Sequence, residues 1–463
     1  MSADNTLELV IPGPTMANLR EALFTPDECE NFAVLLCSSV AMDTKTRLLV
    51  REWIAAPDEA YRERLSYHLE ISPAFFNTIV DRANATGLNP VIVHSHPVTG
   101  AARYSSSDDY GERRLIPVLE QLLPGRIVAS MLVTHSELCG RTLSRGRYSA
   151  IDRISVSGSS VVSYQMPDQL RPKDGPRPAE RHDRQARAIG NVGQERIELL
   201  RVGVVGAGGT GSSVLEQLGR VGVNDIIVID PDVVELSNLS RIYGSLPADA
   251  EVRRPKSELA ARHLERIAPG ITVRSIQGDI TRQGVIATLR DRDVVFGCTD
   301  NHWSRAVINR FAHQYLVPVV DMGVRIDARH GTVIAAAGQI TLVGAGLSCL
   351  RCSQVIDPDR VRAESLPARE RSALAREGYV IGFDDPAPSV ISLNTTVASL
   401  AVTAAIALFV NFTGGSPPSG MRYDARTGTM FTTAARHDAG CDICSPENGV
   451  VGLGDLQRVS AYD

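Results

Sequence analysis

VGVVGAGGTG, residues 202–211, joins an apolar β-strand pattern to four closely spaced glycines, Gly206, Gly208, Gly209 and Gly211. A helical pattern follows, and the next apolar segment ends in Asp230. Glycine lets a backbone approach phosphate groups, a helix N-terminus attracts their charge, and the acid binds a ribose hydroxyl. The stretch predicts a Rossmann-like nucleotide site, and by itself it fits an NAD-dependent oxidoreductase as well as an ATP-binding enzyme.

The rest of the chain divides around a segment that is poor in apolar residues. With 463 residues the chain is too long for one ordinary core. Residues 168–185 are rich in proline and charge, so we place a linker at 166–180 between domains 1–165 and 181–463. Strand and helix patterns alternate in the second domain, which predicts a parallel sheet with crossover helices. The expected class is α/β, with an α+β first domain and a Rossmann-like second domain.

Composition excludes several classes of function. The net charge is -5 and no long basic tract is present, which argues against nucleic acid as a partner. The N-terminus lacks a basic and apolar signal segment, so we expect a cytoplasmic protein. The longest apolar run, 397–412, is short for a membrane span and contains Ser and Thr. We interpret it as a buried helix and expect no membrane association.

Four of the eight cysteines form two CxxC pairs, Cys349 with Cys352 and Cys441 with Cys444. In a chain without a secretion signal this spacing favours metal binding over disulfides. Two pairs separated by a long insert are typical of a closed, structural four-cysteine zinc site.

Two histidines near the end of an apolar run form a second candidate metal site. Alternation along a strand puts His94 and His96 on one face, which supplies half of a zinc site. Asp108 is the expected third ligand, and Asp109 is an alternative. In a simpler interpretation Ser105 only caps a helix that has Asp108 in its first turn, and the histidines are ordinary polar residues.

His94-Ser95-His96-Pro97 followed by Ser105-Ser106-Ser107-Asp108 resembles the JAMM motif of the JAB/MPN metalloproteases. The family requires an upstream glutamate at the head of a helix, and ENFAVLLCS supplies Glu30, with Glu28 as a competitor. The resemblance implies a catalytic Zn²⁺ held by His94, His96 and Asp108. It also implies that Glu30 is the general base and that Ser105 stabilises the oxyanion.

Downstream motifs favour ATP over NAD. The segments 230–241 (DPDVVELSNLSR), 298–301 (CTDN) and 181–197, together with Lys256 and the CxxC pairs, resemble the E1-like activating enzymes of the ThiF/MoeB type. Such enzymes adenylate the C-terminal glycine of a ubiquitin-like protein. The resemblance implies an ATP site that includes the glycines of residues 206–211, a Mg²⁺ ligand, and an arginine contributed across a homodimer. Its implied residues are Asp230 at ATP; Asn238, Arg241 and Lys256 at the phosphates; Asp300 at Mg²⁺ with Asn301 beside it; and Arg184 across the dimer.

Residues 353–394 contain no cysteine, although E1-like enzymes that form a thioester keep one there. Three routes stay open: transfer to the cysteine of an E2-like protein, an oxyester on Ser365 or Ser372, or a thiocarboxylate made with a separate sulfur donor. The interpretation that joins both resemblances is a bifunctional enzyme that trims and then adenylates a ubiquitin-like protein. It resembles prokaryotic JAB–E1 fusions, which are associated with conjugation, sulfur transfer or phage defence. The alternatives are an NAD-dependent oxidoreductase and a non-enzymatic scaffold.

Overall fold

The computed structural model describes residues 6–165, 180–367, 370 and 388–459. The chain forms two compact units, one of Met1–Arg171 with Val451–Gln457, the other of Pro172–Val450 with Arg458–Asp463. The linker expected at 166–180 lies outside the described residues except for Glu180.

A short C-terminal segment belongs to the first unit, whereas the sequence placed all of 181–463 in the second domain. Ser38 Oγ donates a hydrogen bond to the carbonyl of Gly452 at 2.7 Å, and Arg51 Nη1 donates to the carbonyl of Val451 at 2.8 Å. Backbone carbonyls accept both bonds, and every residue has one, so no side-chain pattern marks this segment in the sequence.

A nine-stranded mixed sheet forms the centre of the first unit, in the order β11-β10-β1-β3-β2-β6-β7-β8-β9. Its core lies on both faces, with α1 on one and α2 and α3 on the other. The helices are α1 (Gly13–Leu23), α2 (Pro73–Thr86) and α3 (Ser106–Leu122). The strands are β1 (Thr6–Pro12), β2 (Phe32–Ala41), β3 (Lys45–Ala55), β4 (Tyr61–Arg64), β5 (Leu69–Ile71), β6 (Asn89–Ser95), β7 (Ala129–Val133), β8 (Leu138–Ser144), β9 (Arg147–Ala150), β10 (Arg153–Ser157) and β11 (Val161–Gln165). Strands β4 and β5 form a separate hairpin.

Strand β2 corrects an expectation, because the resemblance to the JAB/MPN metalloproteases implied a helix after Glu30. It pairs with both β3 and β6 and is therefore central in the sheet. Ala33 and Leu35 enter one core, whereas Val34 and Leu36 enter the other. An apolar run buried on both faces lacks the alternation of a half-buried strand, so periodicity alone does not distinguish it from a buried helix.

Helix α3 is confirmed, but the face predicted for it is rotated. The helical spacing of Leu115, Val118, Leu119 and Leu122 in the sequence predicts that these four residues form its apolar side. Ile116 and Leu119 are buried, whereas Val118 and Leu122 are about half exposed. The buried side of α3 is therefore rotated toward Ile116, relative to the side that the sequence predicts.

An eight-stranded sheet forms the second unit, in the order β14-β13-β12-β15-β16-β17-β18-β19. Its strands are β12 (Arg201–Val205), β13 (Asp225–Ile229), β14 (Thr272–Ile276), β15 (Val294–Gly297), β16 (Val319–Arg329), β17 (Thr332–Val343), β18 (Gly420–Asp424) and β19 (Thr429–Thr433). Its helices are α4 (Asp183–Ile189), α5 (Asn191–Glu198), α6 (Gly209–Val221), α7 (Pro247–Glu251), α8 (Lys256–Ile267), α9 (Gln283–Ile286), α10 (His302–Gln314), α11 (Pro358–Ser365) and α12 (Ile391–Val410).

The five strands β14, β13, β12, β15 and β16 are neighbours in this order and pair in parallel, as predicted. Strands β17, β18 and β19 then extend the sheet from β16 with antiparallel pairing. The parallel part has the order 3-2-1-4-5, so the direction of winding reverses between β12 and β15. Ligands of such sheets bind beyond the carboxyl ends of the strands at this switch point.

Helix α12 confirms the prediction of a buried apolar helix. It is long and apolar enough to span a membrane by length and composition alone, but it packs against α6 and the sheet. Val397, Ala398 and Ala401 are fully buried in the core of the second unit.

Candidate functional site

The glycine loop lies at the switch point, between β12 and α6. Gly206 has a φ of +93°, which only glycine adopts easily, and a β-carbon there would lie 2.6 Å from the carbonyl oxygen of Cys298. A β-carbon at Gly211 would overlap the Gly206 carbonyl, so these two glycines permit close packing of strand and helix. A β-carbon at Gly208 meets no described atom within 4 Å. The space beside Gly208 is therefore open for a ligand.

Asp230 follows β13 and holds the glycine loop in place. Its Oδ2 accepts a hydrogen bond from the Ala207 amide at 2.6 Å, and its Oδ1 accepts from the Asp232 amide at 2.8 Å. The side chain is buried, and burial raises the pKa of its carboxyl against these two hydrogen bonds. Each oxygen keeps a lone pair that can accept from a ribose hydroxyl.

The segment that follows β13 carries Asn238, Arg241 and Lys256. Arg241 Nη1 donates to the carbonyl of Ser237 at 2.6 Å, and Lys256 Nζ lies 2.8 Å from Asp232 Oδ2. Asn238 is buried and accepts a hydrogen bond from the Glu235 amide, so its role among the described contacts is to shape the turn. The arginine stem reaches the glycine loop, because its Cδ would lie 3.3 Å from a β-carbon at Gly209.

Asp300 and Asn301 follow β15, on the other side of the switch point. Asp300 is exposed, and Asn301 caps α10 by accepting a hydrogen bond from the Ser304 amide at 2.8 Å. Glu364, from α11, accepts a hydrogen bond from the Trp303 amide at 2.7 Å. An exposed carboxylate at this position can hold a Mg²⁺ ion together with phosphate oxygens.

Arg184 lies exposed on α4, and none of its described contacts reaches the glycine loop. Its neighbour Gln185 is tied into the fold, because its amide nitrogen donates to Gln194 Oε1 and to the carbonyl of Val221. The exposure of Arg184 leaves it available to a neighbouring molecule.

The two CxxC pairs meet in one cluster, as the sequence predicts. The Sγ atoms of Cys349 and Cys441 are 3.8 Å apart, and those of Cys352 and Cys444 are 3.7 Å apart. All four sulfurs lie within 4.8 Å of one another. A tetrahedron with zinc–sulfur bonds of about 2.3 Å has edges of about 3.8 Å, so the four thiolates fit a structural zinc ion.

His94, His96 and Asp108 converge in the first unit. Nε2 of His94 lies 3.2 Å from Asp108 Oδ1, and Nε2 of His96 lies 3.4 Å from Asp108 Oδ2. A tetrahedron with bonds of about 2.0 Å has edges of about 3.3 Å, which matches these separations. His94 Nε2 is buried, and Asp108 Oδ1 lies against it at ion-pair distance. Two imidazole nitrogens and a carboxylate oxygen that converge in this way form a donor set that fits a Zn²⁺ ion.

Glu30 lies beside this cluster, with its Oε1 3.5 Å from His96 Nε2, whereas Glu28 is exposed. Burial raises the pKa of the Glu30 carboxyl, and the neighbouring histidines oppose this effect. Burial also favours the neutral form of Asp108, but the hydrogen bonds from His94 and His96 outweigh it and lower the pKa of that carboxyl.

Ser105 caps α3 as the simpler interpretation expects. Its Oγ accepts from the Asp108 amide at 3.1 Å, and its own amide donates to Asp108 Oδ2 at 2.6 Å. This capping box also turns the Asp108 carboxylate toward His94 and His96. The alternative ligand, Asp109, lies 2.7 Å from Arg141 instead. The cap and the histidine cluster therefore coexist.

Comparison with known proteins covers the second unit. Residues 182–443 match the family model of the ThiF family. The chain belongs to the ThiF family. It is 29% identical over 273 residues to the SAMP-activating enzyme E1 of Haloferax volcanii, a match spanning 59% of this chain and 90% of that protein. It is 30% identical over 256 residues to the molybdopterin-synthase adenylyltransferase of Escherichia coli, spanning 54% and 90%. The sulfur carrier protein adenylyltransferase of Thermus thermophilus is 29% identical over 267 residues, spanning 56% and 87%.

The second unit is thus an E1-like adenylyltransferase domain of the ThiF family. The first unit is a mixed α/β domain outside the matched range. In the ThiF domain Cys298 lies at the end of β15, and burial strongly raises the pKa of its thiol. Ser365 is exposed at the end of α11, and Ser372 lies outside the described residues.

Asn394, at the start of α12, is a neighbour of the glycine loop that sequence reasoning missed. Its Nδ2 occupies the position that a β-carbon on Gly209 would need, and the same nitrogen donates to Ser389 Oγ at 3.0 Å. No local motif marks this residue, because it reaches the loop only through the packing of α12 against α6.

Proposed function

We propose that the second unit adenylates the C-terminal glycine of a ubiquitin-like or sulfur-carrier protein with ATP and Mg²⁺. The observation that carries this proposal is the open glycine loop after β12, with exposed Asp300 after the neighbouring parallel strand β15, in a domain of the ThiF family. The family membership favours ATP over the NAD-dependent alternative, and an intact set of polar residues at the loop favours an enzyme over a scaffold.

The residues around the loop have separate tasks in this reaction. Attack of a carboxylate on an α-phosphate increases the negative charge at phosphorus, which Arg241 and Lys256 offset. Lys256 would exchange its present partner, Asp232, for a phosphate. Asp230 would bind the ribose, and Asp300 would hold Mg²⁺ next to the phosphates.

We further propose that the domain acts as a homodimer in the cytoplasm and that Arg184 serves the neighbouring ATP site. The exposure of Arg184 on α4 supports a role in trans. Because 353–394 lacks cysteine, the adenylate would pass to another protein or to a serine, and Ser365 is exposed enough to accept it. After the reaction, no cysteine of this chain should carry a thiol-labile adduct.

The test is ATP–pyrophosphate exchange in the presence of small proteins that end in glycine, followed by mass spectrometry of each. A competent partner should support exchange and gain the mass of AMP. Asp300→Ala should abolish exchange, whereas Asp327→Ala should not, because Asp327 is a half-exposed carboxylate on β16 outside the motifs. NAD binding without ATP binding would contradict the proposal.

We also propose that the first unit is a zinc-dependent peptidase or isopeptidase that cleaves at the C-terminus of the same partner. The observation that favours it is the convergence of His94, His96 and Asp108 with buried Glu30 beside them. These three residues would hold the ion, which supplies a Lewis acid and a water of lowered pKa.

Glu30 and Ser105 would handle the remaining tasks. Glu30 has a carboxylate oxygen near the cluster, and its raised pKa suits a group that takes up a proton and gives it to the leaving amine. The Ser105 oxygen accepts from the Asp108 amide, which leaves its hydroxyl proton free to donate to an oxyanion.

Glu30→Gln tests this second function against the matched control Glu28→Gln. Glu30→Gln should retain the metal but lose cleavage of a substrate with a C-terminal extension, because the amide cannot accept the proton. Glu28→Gln should cleave normally, because this side chain is exposed. Full cleavage by Glu30→Gln would remove Glu30 from the mechanism.

A further inference from the structure

Arg141, on β8, is enclosed by aromatic rings and acidic groups next to the histidine cluster. Its guanidinium carbon lies 3.5 Å from the ring centroid of Tyr104 and 3.8 Å from that of Tyr148. Its Nη1 lies 2.7 Å from Asp109 Oδ1, and its Nε donates to Glu112 Oε2 at 2.7 Å. Stacking between two rings and two ion pairs fixes all sides of the planar group.

Both acidic partners of Arg141 lie on α3, which also carries Asp108. Asp109 is the next residue, and Glu112, one turn after Asp108, is buried. One of the two rings also lies beside the metal ligands, because the Tyr104 and His94 ring centroids are 6.0 Å apart. The arginine therefore links the first turns of α3 to the surroundings of the cluster.

We propose that Arg141 is a positioning residue that sets the rotation of α3 and thereby selects Asp108 over Asp109 as the metal ligand. The inference rests on the proposed zinc site of the first unit. Adjacent residues of an α-helix point about 100° apart, so the rotation of α3 decides which of the two carboxylates faces the histidines. Arg141 holds Asp109 and Glu112 on its own side, which leaves Asp108 facing His94 and His96.

Removal of the guanidinium would leave Glu112 as a buried carboxylate without its ion pair. Such a group is costly, so α3 would move to bring it toward water. This movement would displace Asp108, whereas His94 on β6 and His96 directly after it would stay in place. Outer groups that orient metal ligands typically affect metal affinity by about 10- to 100-fold.

The experiment measures zinc affinity of the full-length protein by competition with a chromophoric chelator. His94→Ala provides the baseline for the four-cysteine site alone. Arg141→Met should weaken the second zinc by about 10- to 100-fold. Arg141→Lys should fall in between, because lysine keeps the charge but not the planar fork. Arg114→Met is the control, since Arg114 also stacks on a tyrosine, at 5.4 Å, but is exposed.

Co²⁺ substitution provides a readout that a loss of general stability would not produce. The visible absorption of the histidine-cluster Co²⁺ should change in Arg141→Met and stay unchanged in Arg114→Met. If Arg141→Met does not fold, Asp109→Asn removes one ion pair from the exposed side and should shift the same band. Wild-type affinity and absorption in the folded Arg141 variants, or in Asp109→Asn, would overturn the inference. Equal zinc in wild type and His94→Ala would instead refute the proposed metal site.

Discussion

Replacement of Gly208 with alanine separates ligand binding from folding in the glycine loop. The site has a φ of −74°, and a new β-carbon meets no described atom within 4 Å. Alanine is a poorer helix N-cap than glycine but restricts the unfolded chain, and these effects of about 0.5–1 kcal/mol oppose each other. We therefore expect the free energy of unfolding to change by less than about 1 kcal/mol.

The same methyl group would crowd a phosphate that approaches the loop. Crowding in a packed site costs about 1–3 kcal/mol, which corresponds to about a 5- to 150-fold increase in the Kd for ATP. Gly211→Ala should behave in the opposite way. Its β-carbon would lie 2.8 Å from the Gly206 carbonyl carbon and closer still to the oxygen, so the backbone must move and stability must fall.

Isothermal titration with ATP and Mg²⁺ measures the affinity of each variant, and thermal unfolding without nucleotide measures its stability. The expected pattern is weak binding with normal unfolding for Gly208→Ala, and early unfolding for Gly211→Ala. Wild-type ATP affinity in Gly208→Ala would show that phosphate does not approach this part of the loop, and the reasoning from the open space would be refuted.

Three further predictions concern the ionisable and metal-binding residues. Burial raises the pKa of Asp321 to about 6. The folded pKa lies above the unfolded value of 3.8, so the contribution of Asp321 to stability is complete below pH 3.8 and is lost as the pH rises through 6. Between acidic and neutral pH, the free energy of unfolding of the wild type should therefore fall by up to about 3 kcal/mol more than that of Asp321→Asn, as measured by urea denaturation. Parallel pH curves for the two proteins would contradict this prediction. A mixture of Arg184→Ala and Asp300→Ala should regain part of the pyrophosphate exchange, since a mixed dimer has one complete site; no rescue despite subunit exchange would place Arg184 outside the neighbouring site. Cys444→Ser should lose one zinc and melt earlier, whereas His94→Ala should lose one zinc with little change in melting, as metal analysis and calorimetry would reveal.

Short-range chemistry in this protein was predictable from the sequence. The order of Gly206, Gly208 and Gly211 between a strand and a helix determined the nucleotide loop, because backbone freedom and close packing are local requirements. The CxxC spacing likewise determined the four-cysteine cluster, and the length and composition of 397–412 determined a buried helix. Each of these features depends on residues that are near one another in the chain or on chemistry that few residue types provide.

Only the tertiary structure decided how distant segments use the same residue types. Strand β2 is a strand because β3 and β6 satisfy its hydrogen bonds and two cores bury its faces, which no local pattern specifies. Asp108 lies against His94 and His96, whereas its neighbour Asp109 pairs with Arg141 from a different strand. Asn394 reaches the glycine loop from α12, which packs against α6, and 451–457 joins the first unit through backbone carbonyls. The physical reason is common to all four: the free energy comes from contacts between segments far apart in the chain, where sequence periodicity carries no information.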